Sequence, residues 1–238
     1  MDDQVDLYHG LGYVKLIESW GSDERVVETA RMSTDGAFRG WGTADQPGDE
    51  RLLRYMYENR HDSPFEFAGM TVEFQVPIFV IRQIHRHRAA GYSELSARYT
   101  EMPESFWSPE PGDIRRQGGS NRQGSISDDS TEWGYVQDLA VKLMSRSFQD
   151  ALATYRSLLQ IGVAKEQARA VLPMAQMTRC RMTTNLRMLL HFLGLRLDSH
   201  AQEETRAVAR AMHLFAHQRF PRTLALFDQR YEHEEKKS

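Results

Sequence analysis

The residues from Met70 to Ile84 constrain the fold more than any other stretch. Met70 to Val76 alternates apolar and polar residues, which is the two-residue period of a strand with one buried face. Pro77 has no amide hydrogen to donate to a sheet, but it is tolerated in the first turn of a helix. We therefore predict that the strand ends at Pro77 and that a helix begins at Ile78.

The remaining periodicity fits one domain that mixes helices and strands. No internal repeat and no change of composition divides the chain. The predicted fold class is α+β, a single domain over residues 1–238 with a central, largely antiparallel sheet flanked by long helices. Further predicted strands are residues 11–16 and 174–184. One helix is predicted to be capped by Ser22 or Asp23 and to carry Val26, Val27, Ala30 and Met32. Other predicted helices cover residues 50–59, 132–161 with Gly162 as cap, 164–173, 186–193 and 200–220.

Three segments are predicted to lie outside these elements. Residues 34–47 are rich in glycine and aspartate, and the charged tail 232–238 is expected to be frayed. Residues 108–131 have little apolar content, which is typical of a mobile surface loop. A loop of this length in a compact domain is either a lid or an insertion.

Charge and cysteine content exclude several classes of protein. The 30 basic and 33 acidic residues give a net charge of −3, which does not suggest a general surface for nucleic acid or anionic membrane. No apolar run approaches the ~20 residues of a membrane span, and the first ten residues lack signal-peptide features. We therefore expect a soluble cytoplasmic protein with no nucleic-acid or membrane partner. Cys180 is the single cysteine, which excludes an intrachain disulfide and a multi-thiolate metal site.

The segment from Arg82 to Tyr99 is the candidate active site. It holds four arginines, two histidines, one glutamate and two serines in eighteen residues. Cations so close together repel one another, which indicates anionic ligands such as phosphate. A charge-rich run is most often a solvated helix face. The apolar residues before Arg82 and the small residues 89–91, which let backbone approach a ligand, favour a cleft instead.

The same segment resembles the RHRxxSxNExSxRY signature of flavin-dependent thymidylate synthases. Gly91 stands where the signature has serine and Ser93 where it has asparagine, so the local hydrogen-bonding groups differ. Shorter matches in the family's order extend the resemblance over roughly residues 10 to 230. The residues in register are Arg86, His87, Arg88, Glu94, Ser96, Arg98 and Tyr99; the shorter matches are ARMS (30–33), HDSPFE (61–66), QARAVLP (167–173), TNLR (184–187) and LRLDSHAQ (195–202).

The resemblance implies FAD as cofactor, dUMP as substrate, 5,10-methylenetetrahydrofolate and NADPH as co-substrates, and a homotetramer with shared active sites. His61 would border the folate and flavin. The residues implied to bind dUMP are Gln83, Arg86, Glu94, Leu95, Ser96, Ala97, Arg98, Arg169 and Arg196. Those implied to bind FAD are Ser33, Ser63, Glu66, Arg86, His87, Arg88, Glu94, Asn185, Arg187, His191, which replaces an asparagine of some members, and His200.

Two residues could supply a nucleophile if the reaction used one. Arginines on both sides of Cys180 would lower its pKa, but it lies in a predicted strand without a general base nearby in sequence, which favours a structural thiol. Ser96 would need a stronger base than Glu94, whose carboxylate has an ordinary pKa near ~4. The resemblance implies instead that reduced flavin supplies hydride and that the protein supplies placement and electrostatics. Arg196 would be the catalytic residue, stabilising an anionic pyrimidine.

Three alternatives remain open at this stage. Gly91 and Ser93 would fit a sibling enzyme that acts on another pyrimidine nucleotide or leaves a hydroxymethyl group. A nucleic-acid-binding module would use the arginine cluster, although few aromatic residues are interleaved with it. A metal hydrolase would use His61, His85 and His87, but spacing of i, i+2 does not put two histidines on one helix face, and no metal is expected.

Overall fold

The computed structural model describes residues 3–43, 45–46, 48–118 and 125–235, which form an α+β domain of the predicted class. In chain order its strands and helices are β1 (Gln4–Leu7), β2 (Gly12–Trp20), α1 (Asp23–Arg31), α2 (Glu50–Glu58), β3 (Gly69–Pro77), α3 (Ile78–Ile84), β4 (Gly91–Glu94), β5 (Arg116–Gln117), β6 (Ser125–Ile126), α4 (Thr131–Gln160), α5 (Lys165–Ala168), β7 (Met177–Asn185), α6 (Leu186–Arg196), α7 (Glu203–Arg219) and α8 (Pro221–Glu235).

The central sheet is antiparallel, with strand order β1-β2-β3-β7-β4. Strand β3 pairs with β7 along its whole length, from Gly69 opposite Asn185 to Pro77 opposite Met177. The prediction for this stretch is confirmed, because β3 ends at Pro77 and α3 follows at once. The Ile78 amide then donates to the Gln176 carbonyl (3.0 Å), so the chain leaves the sheet without losing a hydrogen bond.

The sheet has one apolar and one polar face. Met70, Val72, Phe74 and Val76 of β3 are fully buried, and helices α3, α6 and α7 contact the sheet. The residues between them are partly exposed and form polar contacts across strands, such as Arg181 Nε with Glu73 Oε2 at 2.8 Å. An antiparallel sheet with one face on the core gives this alternation.

The C-terminal helix α8 was not predicted from the sequence. The buried Asp23 carboxylate, at the start of α1, accepts from the amides of Arg222 (2.8 Å) and Thr223 (3.2 Å) and from the Thr223 hydroxyl (2.5 Å). It thereby satisfies the first amides of α8, as a capping side chain does. Burial raises the pKa of Asp23. The helix continues to Glu235, past the start of the expected frayed tail; residues 236–238 lie outside the described part.

Several predicted boundaries shift in the structure. Helix α4 matches its prediction and ends before Gly162, whose φ of 86° permits the turn. Helix α6 runs to Arg196, three residues beyond its predicted end, and the predicted helix 164–173 is α5 followed by the short 3-10 helix Arg169–Val171. Helix α7 begins at Glu203 rather than His200, because the Asp198 carboxylate accepts from the His200 amide (2.7 Å) and holds a turn there. Strands β1 and β4 were not predicted.

The described part of segment 108–131 has structure of its own. Strands β5 and β6 pair, and the Ile114 carbonyl accepts from the side chains of Trp133 (3.1 Å) and Gln137 (3.0 Å) on α4. The segment therefore packs on the first turns of α4. Residues 119–124 of the predicted loop lie outside the described residues.

Among the described residues, no helix combines the length and the apolar character that crossing a membrane requires.

A substitution at Gly69 tests how tightly the chain packs at the start of β3. A Cβ there would lie 2.8 Å from the Asn185 Cα and collide with the Thr184 carbonyl and the Trp20 ring. We expect Gly69→Ala to lower the free energy of unfolding by about 2 kcal/mol or more, in the range of overpacking. Gly134→Ala is the matched control, since nothing lies near its Cβ, and a helical alanine should stabilise by up to ~1 kcal/mol. Urea unfolding measures both; equal effects would contradict the packing described.

Candidate active site

Helix α6 carries several of the predicted site residues on one face. The Asn185 side chain accepts from the Met188 amide (2.9 Å) and caps the helix where β7 ends. Leu186, Leu189, Phe192 and Leu193 face the core, which leaves Arg187, His191 and Leu195 exposed at four-residue intervals. These three residues line a cleft of about 710 Å³, together with Tyr57, Arg60, Asp62, Phe65, Phe227 and Tyr231.

The short 3-10 helix Ser63–Phe67, with Asp62 before it, forms another part of the cleft wall, which Asp62 and Phe65 line. Pro64 and Phe65 are buried and anchor it, while Glu66 is exposed. Glu66 Oε1 accepts from Arg187 Nη1 at 2.6 Å, and Asp62 lies 3.5 Å from Arg187 Nε. His61 is exposed just before, with its ring 5.4 Å from that of Tyr55. The structure therefore brings Glu66 and Arg187 together, with Ser63 and His61 on the same segment.

Arg196, in the last turn of α6, is held by two residues of the signature region. Its Nε donates to His87 Nε2 at 3.0 Å, and its Nη2 donates to the Gln83 carbonyl at 3.1 Å. The Gln83 side chain in turn hydrogen-bonds Gln202. The Arg196 guanidinium therefore has a fixed orientation beside the signature turn.

His87 is buried and neutral. Burial first, then the positive charge of Arg196 and the nearby His191, lower the pKa of His87 to about 4. An imidazole nitrogen that accepts a hydrogen bond must carry its proton on the other nitrogen, so His87 holds its proton on Nδ1. Its ring also packs edge-on against Phe192, 4.7 Å between centroids. His87 therefore contacts Arg196 rather than solvent, although it lies between two exposed arginines.

Strand β4 fixes the rest of the signature on the edge of the sheet. Gly91 pairs with Thr183 of β7, and a Cβ at Gly91 would lie 2.8 Å from the Thr183 methyl carbon. The small residue at position 91 is therefore explained by its contact with strand β7, and the expected approach to a ligand stays a prediction. Glu94 Oε1 accepts from the Thr178 hydroxyl (3.0 Å), and the Leu95 amide donates to the Arg179 carbonyl (2.8 Å).

Tyr92 is a site residue that the sequence analysis missed. Its hydroxyl donates to the carbonyls of Ile84 (3.0 Å) and His87 (2.9 Å), which ties the turn after α3 to strand β4. Burial, followed by the nearby Cys180, raises the pKa of Tyr92 to about 12. Only the folded pairing of β4 with β7 reveals this role, because an isolated tyrosine in the signature carries no such signal.

The signature arginines Arg86, Arg88 and Arg98 are exposed. Arg88 lines a shallow depression of about 300 Å³ with Trp20, Ala90 and Asn185, so two predicted flavin residues share this surface. Arg98 lies over the Tyr99 ring at 5.1 Å. Ser96 accepts from the Arg98 amide at 3.4 Å, while the adjacent Ala97 is buried.

Three predicted residues form hydrogen bonds within their own turns. The Ser33 hydroxyl donates to the Ala30 carbonyl (3.0 Å), and Arg169 Nε donates to the Glu166 carbonyl (3.2 Å). The His200 ring contacts Asp198 at 2.9 Å. The hydrogen bonds of Ser33 and Arg169 are local, whereas Asp198, the partner of His200, also lines the cleft beside α6.

The expectation for the pKa of Cys180 was wrong. Burial, and then the nearby Glu94 carboxylate, raise it to about 12. Arg179 and Arg181 do not lower it, because neighbours along a strand point to the opposite face. Cys180 is fully buried beneath the sheet, which fits the structural role that the sequence favoured.

The histidines of the metal-hydrolase alternative do not meet. Among the described residues, His61, His85 and His87 do not form a group that could hold an ion. His85 packs against the Tyr92 ring at 4.7 Å, and His87 Nε2 already accepts from Arg196. This geometry gives no support to that alternative.

Comparison with known proteins finds one family. The model of a family described as thymidylate synthase complementing protein matches residues 15–222. A flavin-dependent thymidylate synthase of Kosmotoga olearia is 38% identical over 201 residues, 84% of this chain and 83% of the relative. One from Thermus thermophilus is 38% identical over 92% of this chain and 76% of its own.

Two solved structures of one enzyme are similar to this chain over almost its whole length. The UMP/dUMP methylase PolB from Streptomyces cacaoi, bound with 5-Br UMP, has a TM-score of 0.79 and 33% identity. The same enzyme with 5-Br dUMP has a TM-score of 0.80 and 32% identity. Each comparison covers 96% of both chains.

The buried His87 predicts a pH-dependent stability. Its pKa is about 4 in the folded chain and ~6.5 when unfolded. Between these values only the unfolded chain binds the proton, so stability should fall as pH drops from about 6.5 to about 4, by up to ~3 kcal/mol. Denaturant unfolding across this range measures the slope. Glutamine in His87→Gln can still accept from Arg196 but cannot titrate, so the unfolding free energy of this variant should depend less steeply on pH. A slope identical to that of the wild type would rule out His87 as the source of the pH dependence.

Proposed function

This chain belongs to the family of thymidylate synthase complementing proteins, and from that membership we infer that it is a flavin-dependent thymidylate synthase. It is an FAD-containing methyltransferase that converts dUMP to dTMP, with 5,10-methylenetetrahydrofolate as carbon donor and NADPH as reductant. The observation that carries this proposal is the fixed Arg196 guanidinium beside the signature turn, held by His87 and the Gln83 carbonyl. A cytoplasmic location remains a prediction.

The cleft beside α6 has the chemistry that FAD requires. Aromatic side chains, Tyr57, Phe65 and Phe227, line it together with the cations Arg60 and Arg187. Apolar rings suit the flat ends of a dinucleotide, and guanidinium groups suit its pyrophosphate. The residues proposed to hold FAD here are Ser63, Glu66, Arg187 and His191. Arg88 and Asn185 would contribute from the shallow depression, and Ser33, Arg86, Glu94 and His200 from their own surfaces.

When bound, FAD supplies hydride, and this chain's residues supply placement and charge. Arg196 would face the pyrimidine, where a permanent cation stabilises negative charge that develops on N3 and O2 more than it stabilises neutral uracil. We propose that His87 positions Arg196, since its one accepting nitrogen is occupied by Arg196 Nε. Gln83, Arg86, the segment from Glu94 to Arg98 and Arg169 would bind the rest of dUMP.

The thiol chemistry of other thymidylate synthases does not fit Cys180. A thiolate nucleophile requires a lowered pKa and access to substrate. Burial raises the pKa of Cys180 and its side chain lies in the core. The proposed reaction therefore uses no protein nucleophile.

A homotetramer with shared sites accounts for two observations. Within the described part of the chain, the Ser33 and Arg169 side chains hydrogen-bond only to carbonyls of their own turns, and a neighbouring copy of the chain could bring such residues to its site. Helix α4 also exposes an apolar stripe, Tyr135, Leu139 and Leu143, at 75%, 57% and 60%. Residues four apart lie on one helix face, and a contiguous apolar face of this kind is typical of a contact between proteins.

The function is tested by product analysis. The purified chain, supplied with FAD, methylenetetrahydrofolate and NADPH, should convert dUMP to dTMP as read by mass spectrometry. UMP is the second substrate to test, because PolB is a methylase of both nucleotides. A hydroxymethylated product, or turnover of UMP alone, would transfer the assignment to a sibling enzyme.

Arg196 variants test the role of the guanidinium. Arg196→Ala should slow single-turnover oxidation of the reduced flavin by dUMP and folate by about 10²- to 10³-fold, the usual effect of removing one such donor. FAD content should change little. Arg196→Lys keeps the charge but loses the planar fork, so it should recover part of the rate. Arg54→Ala, an exposed arginine of α2, is the control; if Arg196→Ala oxidises as fast as this control, Arg196 does not act on the pyrimidine.

Charged substitutions in the apolar stripe of α4 test whether this stripe forms a contact in the tetramer. We expect Leu139→Asp and Leu143→Asp to reduce the tetramer to smaller species, because a charge in an apolar contact loses its hydration. Light scattering coupled to size-exclusion chromatography measures the mass. Ser145→Asp adds the same charge at an exposed position of α4 away from the stripe and should remain tetrameric. A tetramer in all three variants would remove the stripe from the interface.

A further inference from the structure

Two histidines and an aspartate meet between α7 and α8, outside every motif described so far. His213 and His217 are four residues apart on α7. Their Nε2 atoms lie 2.7 Å from Oδ1 and 2.6 Å from Oδ2 of Asp228 on α8. The two imidazole rings are 4.9 Å apart, and the three ligand atoms all lie within 4.8 Å of one another. We refer to these three residues as the α7–α8 cluster.

The sequence and the fold both contribute to this convergence. A spacing of i, i+4 puts two imidazoles on the same face of a helix, as in helical metal sites. Helices α7 and α8 are separated by Phe220 alone and pack together, with the start of α8 fixed by Asp23. The side chains remain 26% (His213), 37% (His217) and 33% (Asp228) exposed, so an ion can reach them.

A simpler interpretation is a hydrogen-bonded clasp without metal. In that case both imidazoles must carry a proton on Nε2, each directed at one oxygen of the same carboxylate. The same arrangement without those protons offers two imidazole lone pairs and one carboxylate to a single ion. The clasp is therefore the metal-free form of the same site, and binding measurements decide between them.

We propose that the α7–α8 cluster binds one divalent transition-metal ion of the zinc class, through Nε2 of His213, Nε2 of His217 and the Asp228 carboxylate. Two imidazoles with one carboxylate favour Zn²⁺ and its neighbours over Mg²⁺ and Ca²⁺, which prefer oxygen ligands. Zinc bonds of about 2.0–2.2 Å in tetrahedral geometry separate ligand atoms by about 3.3–3.6 Å. The nitrogen–oxygen pairs, now 2.7 and 2.6 Å apart, need to open by about 0.6 to 1 Å to reach that spacing. Water would occupy the fourth position.

The ion would fix the wall of the cleft that α8 provides. Phe227, adjacent to Asp228, lies 6.1 Å from the His213 ring and stacks on Tyr231 at 5.8 Å. Phe227 and Tyr231 both line the cleft beside α6. Metal at the cluster would hold these two rings in place without contacting a substrate, so its role is structural.

Calorimetric titration of the full chain with Zn²⁺, after a chelator has been applied and removed, tests the site. We expect about one ion per chain, a raised unfolding temperature with Zn²⁺, and Co²⁺ absorption bands of a tetrahedral site. His217→Ala and Asp228→Asn should each weaken Zn²⁺ binding at least 10-fold. His233→Ala, which removes another histidine of α8, is the matched control and should bind as the wild type does.

Three results would overturn the proposal. They are an absence of stoichiometric Zn²⁺ binding by the wild type, Zn²⁺ binding by His217→Ala as tight as that of the wild type, and a loss of Zn²⁺ affinity in His233→Ala as large as that in His217→Ala. Circular dichroism of the metal-free variants verifies their fold. If a variant fails to fold, the Co²⁺ spectrum of the wild type decides, because octahedral, oxygen-only coordination would exclude the cluster. None of these measurements depends on turnover, so failure here leaves the proposed function intact.

Discussion

Strand β7 pairs with a neighbour on each side, and the positions of the site residues depend on that pairing. On one side β3 runs the full length of β7, and on the other β4 places Gly91 opposite Thr183. A slip of one residue would turn Cys180 and Met182 outward and Arg179 and Arg181 inward. Asn185 ends the strand and caps α6 at the same residue. The register of β7 therefore sets where Arg187, His191 and Arg196 lie relative to the signature turn.

Local patterns predicted the parts of the fold that have local causes. The alternation in Met70–Val76 and the helical period of 132–161 were sufficient, because strand and helix periods are properties of neighbouring residues. The start of α8 was missed because its cap, Asp23, lies about 200 residues away in sequence. The pKa of Cys180 was predicted in the wrong direction because its sequence neighbours occupy the other face of the strand. Distance in sequence, rather than weak patterning, limited the prediction.

In the candidate site too, local motifs identified individual residues, whereas the contacts between residues distant in sequence could not be predicted. The signature nominated His87, and the shorter match LRLDSHAQ nominated Arg196. Their contact joins residues 109 positions apart, and burial beside Arg196 keeps the His87 ring neutral, which neither motif could reveal. The departure at Gly91 also has a structural partner, since the Thr183 methyl occupies space that a side chain at position 91 would need. Positions 91 and 183 are thus coupled. A larger residue at the first is compatible with the sheet only if the second rotates or becomes smaller.

The strand order β1-β2-β3-β7-β4 has a consequence for how the chain is made. On the ribosome, β3 is complete about a hundred residues before β7 emerges, which at ~5–20 residues per second is an interval of roughly 5 to 20 seconds. During that interval one edge of an apolar, alternating strand has no partner in the final sheet. Such an edge pairs readily with other chains. The nascent chain is therefore most exposed to aggregation before β7 is synthesised, and a chaperone that shields the β3 edge during that interval would improve its yield.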